Sequence, residues 1–433
     1  LEDFMVRNAF TAGIDFTQYF KNRLYYIDVK GMLSSLHGSA GAITALQNSV
    51  AHYYQRASSA DYLGVDPTRR SLTGTGGYVK VGRKGNAKWN FSETFTWSSP
   101  GFDLNDMGYM KETDYLMNET EIMYRQTDIW KIFRYNAFTL SQKNMWNYGG
   151  TPFSNNASLR WQSMTMNRYE WDVKETFAWN WLDSRLLRGG PDVRFGSYFL
   201  TSAKFNTDKA KRMMFMLKYE GDHNFEGNRF NTISPSLTFR LGNHVYLSGQ
   251  LDYAWNTDEM QYVATTSPLS SSSLAPYYYV MGHMDQKTYG LTLKLQVNVT
   301  PDISIQFYGA PFTSIAKYDD FKLAADTKSH TFENRFQRID PDQLTYADGV
   351  YTIGEGAGQM PFRNPDFRFN EFRSNLVARW EYLPGSTLYF VWEHRMSNRD
   401  NWYSSGWGSN LDRMWGLPAT NTFMIKMNYW FNL

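Results

Sequence analysis

Seven histidines, His37, His52, His223, His244, His283, His330 and His394, are the candidates for general acid–base work in a sequence without cysteine. Two of them have carboxylates close in the chain. His283 and Asp285 stand two residues apart, hence on one face of a strand, and Asp222-His223 with Glu226 makes a compact group. Outer-membrane proteases and lipases build a catalytic base at a barrel rim in this way, from a histidine with a positioned partner. The companion motifs are absent: there is no H-E-x-x-H, no G-x-S-x-G and no phosphate-binding loop. The expectation is ordinary rim and loop histidines, no enzyme, no cofactor and no resident metal, with a rim hydrolase as the weakest functional reading. Asp319, Asp320, Asp340, Asp342 and Asp348 carry oxygens of the kind Ca²⁺ needs, but read better as a solvated loop face. Gly74-Thr75-Gly76-Gly77 precedes a strand with no helix after it, so it reads as a bend near a strand end.

More informative are charges that recur inside strand-like stretches: Lys218, Glu220, Lys294, Arg379, Glu381, Glu393, Arg395 and Lys426. Mixed signs on neighbouring strands would line a selectivity-setting channel wall or form a closed salt-bridge network filling a lumen.

The elements that would hold them alternate with a period of two. In the last stretch, Phe423, Ile425, Met427, Tyr429 and Phe431 fall on one face, and Lys426 and Asn428 on the other. Within Tyr289–Val299, Leu291, Leu293, Leu295, Val297 and Val299 oppose Thr292, Lys294, Gln296 and Asn298. Tyr246–Asn256 repeats the pattern with Leu247, Leu251, Tyr253 and Trp255. About ten residues of strict alternation is the length a tilted strand needs to cross a bilayer. Trp179, Trp181, Trp380, Tyr382, Trp392, Tyr429 and Phe431 then read as anchors at the membrane interfaces.

Composition agrees with that reading. The 433 residues are 17% aromatic and 20% charged, with a formal net charge of +2, so a nucleic-acid partner has no basic tract to bind. The sequence has no run of 18 apolar residues, which excludes a helical span but not a barrel, half of whose residues face a wet lumen. Short turns alternate with long loops along the chain. Leu241-Gly242-Asn243, Val299-Thr300-Pro301-Asp302 and Leu383-Pro384-Gly385-Ser386 are tight, whereas 36–71, 257–276, 319–365 and 397–419 are long and polar. The first of these loops carries a helical period over Gly41–Arg56. Pro235 interrupts a good strand, predicting a bulge or a pairing gap near one rim.

The predicted fold is thus all-β: a large antiparallel transmembrane outer-membrane barrel over residues 1–433, with about 17 strands and long extracellular loops holding one short helix. Barrels of this class have an even strand count and both termini in the periplasm, and the turn order places Leu1 outside. This predicts at least one further strand upstream.

Several segments resemble the C-terminal barrel domain of a large outer-membrane family of Gram-negative bacteria. They include Asn8–Asp15, Ser99–Asp106, Tyr279–Thr288, Val299–Tyr308 and Phe372–Tyr389. Members typically carry an N-terminal carbohydrate-binding-like β-sandwich, which this sequence lacks. The resemblance implies the fold, an outer-membrane location and additional upstream strands, and offers no catalytic motif to carry over. The expected function is passage of a solute, or surface binding of a glycan or peptide. The rival is a scaffold or anchor for a surface lipoprotein or exported domain. The partners expected are outer-membrane lipid, lipopolysaccharide and an envelope or surface lipoprotein.

Overall fold

Residues that alternate apolar and polar over ten or more positions can bury one face only by pairing edge to edge with like neighbours, and here they do so in chain order. The computed structural model describes residues 5–56, 62–85, 87–105, 108–179, 181–269, 277–400 and 407–431. Asn86 of a predicted turn, Asp106, and the stretches 57–61, 270–276 and 401–406 of three predicted loops lie outside these, as does the end of the chain from 432.

The main sheet is an antiparallel meander of β1 (Val6–Phe20), β2 (Tyr25–Gly38), β3 (Ser71–Arg83), β4 (Trp89–Ser98), β5 (Tyr115–Gln126) and β6 (Phe133–Trp146). It continues through β7 (Pro152–Thr165), β8 (Glu170–Trp179), β9 (Tyr198–Asn206), β10 (Met213–Asn224), β11 (Arg229–Leu241) and β12 (Val245–Thr266). The series closes with β13 (Tyr278–Asn298), β14 (Ile303–Ala324), β15 (Phe367–Leu383), β16 (Ser386–Asp400) and β17 (Thr420–Asn428). These are the seventeen long strands the alternation predicts, each paired with its sequence neighbours. Among the described residues no pairing joins β1 to β17, so the sheet is open there. A short strand, Phe336–Arg338, adds to the loop end of β14.

Tight turns use residues that tolerate a left-handed backbone. Lys21, Asn22 and Arg23 all have positive φ between β1 and β2, and Gly385 takes φ 81° between β15 and β16. The pairing gap at Pro235 is real but lies mid-strand rather than at a rim. β11 pairs with β12 at Ile233↔Tyr253 and again at Ser236↔Gln250, and Ser234 bridges the gap by donating its hydroxyl to Asp252 at 2.6 Å.

Four expectations need correction. The strand pattern runs on through residues predicted as loop: β12 reaches Thr266, β14 reaches Ala324 and β16 reaches Asp400. Register shifts at Asp258/Gln261 and Tyr262/Ala264 let the β12–β13 ladder continue. The helix α1 covers only Ala40–Gln47, capped by Asn48, and Tyr53 beyond it adopts φ 53°, which an α-helix cannot hold. Gly74–Gly77 is not a bend but lies within β3. The loops hold more than one short helix: a second covers Trp407–Trp415 in 397–419, and beyond β14 the stretch 319–365 folds a three-stranded sheet of Leu344–Ala347, Val350–Ile353 and Met360–Arg363. That small sheet packs its Ile353 and Phe362 against Val280, Met284 and Phe321 on the tall strands β13 and β14.

Candidate functional site: the polar face and the loop layer

Register fixes which side chains share a face. One row runs Met213, Phe239, Leu247, Leu295, Phe307, Leu376, Trp392, Phe423, apolar across eight consecutive strands. Phe16, Val29, Val79 and Phe95 make a second such row over β1–β4. One residue away the facing set is polar: Ser248, Lys294, Tyr308, Asn375, Glu393 and Thr422 share a row. Over these strands the sheet therefore has one apolar and one polar face.

All eight charges singled out in the sequence project from the polar face. Three pairs form: Lys218 with Glu220 at 2.6 Å, Arg379 with Glu381 at 2.5 Å, and Arg395 with Glu371 at 2.9 Å. Glu371 also takes Arg373, so two guanidinium groups share one carboxylate. Lys294 and Glu393 lie in the row just named, and Lys426 two rows on, beside Tyr389 and Arg379. The wall is a mixed-charge surface of local pairs, not a single-sign ring.

Trp380, Trp392, Tyr429 and Phe431 project from the apolar face, largely exposed. Trp179 and Tyr382 share it, with Trp179 stacked near Phe177 at 5.7 Å and Tyr382 donating its hydroxyl to the Asn428 carbonyl. Trp181 does not join them. The chain leaves the main sheet after Trp179, and Trp181 pairs with Phe195 in a small hairpin of Trp181–Asp183 and Val193–Phe195, stacked on Phe195 at 5.0 Å. The group Asp222, His223 and Glu226 also fails to assemble. Consecutive strand residues point to opposite faces, so His223 lies against Phe199, while Glu226 turns toward a different loop. His283 contacts Glu259 at 3.1 Å and Asp285 at 3.6 Å.

What the sequence did not reveal is a layer of loops folded over one end of the polar face. Its anchor is the glycine run in β3. A Cβ at Gly74 would meet the Phe102 backbone nitrogen at 2.1 Å, and one at Gly76 would meet the Phe102 ring at 2.5 Å. The missing side chains let the 99–103 loop lie flat on the strand, with Phe102 buried. Asp103 then donates its backbone N–H to the Ser34 hydroxyl of β2.

Here His52 finds its partner. Nε2 lies 2.9 Å from Asp103 Oδ2 and Nδ1 lies 2.8 Å from the Pro100 carbonyl, with both side chains almost wholly buried. The Thr113 hydroxyl also lies 3.4 Å from Nδ1. Burial pushes the Asp103 carboxyl up, but the hydrogen bonds from His52 and the Asn105 N–H outweigh it and hold it below the usual range. Beside this pair, Arg56 bridges to the buried Asp114, which also accepts from the Tyr62 hydroxyl at 2.6 Å and the Tyr148 N–H at 3.1 Å. Burial, then Asp114, pushes the Tyr62 phenol up, and burial takes Tyr54 up to about 12.

A second knot closes the opposite side. Arg335 is 1% exposed and binds Glu226 in two parallel bonds of 2.8 and 3.0 Å, while its remaining donors reach the carbonyls of Ser329, Arg194 and His330. One guanidinium thus ties the 194–196 segment, the β10–β11 loop and the 329–335 segment together. Beside Arg56 and Asp114 lies a cavity of ≈ 340 Å³ whose lining includes Lys111, Glu112, Asn147, Trp181, Asp183 and Arg185. The arrangement offers hydrogen bonds and both charge signs.

A family model described as Domain of unknown function (DUF5916) matches residues 37–433. No curated protein matches the chain. Two solved structures align along it. The siderophore receptor PirA from Acinetobacter baumannii is 9% identical, with a TM-score of 0.39, over 97% of this chain and 70% of that chain. A mutant of the ferric enterobactin receptor PfeA from Pseudomonas aeruginosa, in complex with enterobactin, is 7% identical, with a TM-score of 0.35, over 89% of this chain and 72% of that chain.

Proposed function

The chain belongs to the family described as Domain of unknown function (DUF5916), and from its geometry we propose an outer-membrane barrel wall in a Gram-negative envelope, passing a hydrophilic solute beneath a folded loop layer. The observation that carries this is the apolar face. Rows of Leu, Phe, Val and Trp turned to water over β1–β4 and β10–β17 would be an aggregation surface, whereas against lipid they cost nothing. The band on β12 spans Val245 to Trp255, the length a tilted strand needs, and Tyr253 and Trp255 stack at its loop end. A barrel of this strand number is too wide for its own side chains to fill, so its polar interior holds water or solute.

The mixed-charge wall and the polar cavity suit a neutral or zwitterionic solute, of glycan or peptide type, better than a simple ion of one sign. We assign no catalytic role to His283 or His223. One observation favours a second reading, a scaffold for a surface lipoprotein: the small sheet in loop 319–365 presents Tyr346 at 55% exposure.

The test is single-channel conductance of the full-length protein in a planar bilayer, with Glu226→Gln as the loop-releasing variant. Passage predicts low or flickering conductance that becomes larger and steadier in the variant. Silence in both forms, with insertion verified, refutes passage and leaves the scaffold.

A further inference from the structure

Between β4 and β9 the apolar face is broken: Asn118, Gln142, Asn144 and Asn155 share it, and its two charged members repeat one pattern. Strand β4 reads Trp89-Asn90-Phe91-Ser92-Glu93-Thr94-Phe95-Thr96-Trp97 and strand β8 reads Trp171-Asp172-Val173-Lys174-Glu175-Thr176-Phe177-Ala178-Trp179. In each, a glutamate stands at the centre of the apolar side, two apolar positions from a Trp in either direction. Register puts both on that face: Glu93 lies opposite Val81 and Thr120, and Glu175 lies opposite Leu159 and Thr201. Each carboxylate has the same partner. Thr120 donates its hydroxyl to Glu93 Oε2 at 2.6 Å, and Thr201 donates to Glu175 Oε2 at 2.6 Å. Both glutamates stand at closely similar depth, four residues beyond the first Trp of the strand and within one position of each other counted from the short-turn end.

A carboxyl at mid-height on a lipid-facing wall is expensive, and one threonine hydroxyl satisfies only one of its oxygens. Lipid cannot supply the remaining partner; a protein surface can. The spacing says which surface. The two Glu–Thr pairs, on β4/β5 and β8/β9, flank the β6–β7 hairpin symmetrically. A twofold axis along the membrane normal through that hairpin would lay Glu93 and Thr120 of one copy against Glu175 and Thr201 of the other, at closely similar depth, twice. We infer that the β4–β9 wall is a self-complementary interface at which two copies of this chain pair in the membrane. The axis sets β4 against β9 and β5 against β8, so each glutamate of one copy faces a threonine hydroxyl of the other. Six strands about 4.8 Å apart under a band roughly 25 Å tall give on the order of 600 Å² per copy, near the ~800 Å² of a standard interface.

This inference rests on the membrane-spanning reading, and the experiment separates the two. The full-length protein is reconstituted in nanodiscs and weighed by native mass spectrometry, beside the Glu93→Leu/Glu175→Leu double variant. Because the sequence has no cysteine, Leu159→Cys on the β6–β7 hairpin reports self-contact by cross-linking under a mild thiol oxidant. Two copies per disc, Leu159→Cys dimers, and a dimer dissociation constant raised about tenfold or more in the double variant are expected. If the wall touches only lipid, Glu→Leu stabilises the inserted protein and leaves its mass unchanged. A monomeric wild type, or a double variant that still dimerises as tightly, overturns the interface while leaving the barrel intact. Failure of the wild type to insert at all overturns both.

Discussion

Replacing Glu226 by glutamine should open the loop layer without unfolding the sheet. Among the described residues Glu226 is the carboxylate drawn into the Arg335 knot, and it also accepts the Gly196 N–H at 3.0 Å. Glutamine keeps the size, but it removes the counter-charge and turns an amide N–H₂ toward donors. Breaking one partner of a buried, hydrogen-bonded ion pair costs about 3–5 kcal/mol, because the other charge stays buried. Arg335 keeps its carbonyl contacts to Ser329, Arg194 and His330, which places the loss at the lower end, about 3 kcal/mol. Local opening of the 325–336 segment would then rise by about a hundredfold. Trypsin reads this at Lys328 and Arg335, since cleavage under fast reclosing tracks the population of the open form. Glu333→Gln, two residues away and exposed, serves as control and should leave the rate unchanged. A cleavage rate in Glu226→Gln within about threefold of wild type would refute the claim that this pair latches the layer.

Three further outcomes follow from the same geometry. The Asp103 carboxyl titrates lower when folded than when unfolded, so its contribution is complete above the ordinary carboxylate value and fades as pH falls through the folded one. Protease sensitivity of the 99–114 loop should accordingly rise below about pH 4, and His52→Ala should move that onset upward. Gly76→Val, whose Cβ meets the Phe102 ring at 2.5 Å, should destabilise the loop layer by about 1–3 kcal/mol, seen as faster hydrogen exchange at 99–105 while β1–β3 amides stay protected. Leu293→Arg, in the middle of the apolar face, should cost about 2–4 kcal/mol of bilayer-folded stability in a urea titration, and the adjacent Thr292→Arg on the polar face should cost less than half as much; equal costs would remove the basis for assigning the faces.

The sheet was legible because its signal is local. Leu291, Leu293 and Leu295 against Thr292 and Lys294 state a face without reference to any other strand, and register then extends that face over the sheet. Elements beyond the apolar band were harder to read. Residues Thr257 to Thr266 look like loop because a strand beyond that band can be polar on both sides, and only its pairing with β13 shows what it is. Trp181 continues the alternation of Trp179, yet it pairs with Phe195 in a separate hairpin, a departure that spacing alone does not record. His52 was noticed as a histidine and nothing more, since Asp103 lies 51 residues away and the two meet only when a glycine run lets a loop settle on β3. The glycines were themselves the available signal: three within four residues of a strand call for something packed close against it.

The strict neighbour-to-neighbour pairing of the main sheet has a kinetic side. Every long strand closes against one that adjoins it in the chain, so the wall can zip hairpin by hairpin, each step closing a short segment. The loop layer is wired differently. Thr327 meets the Asp192 carbonyl across 135 residues, and Arg335 meets Glu226 across 109. Those contacts can form only after the strands between them have taken their places, so assembly has a built-in order in which the wall forms early and the cover orders last.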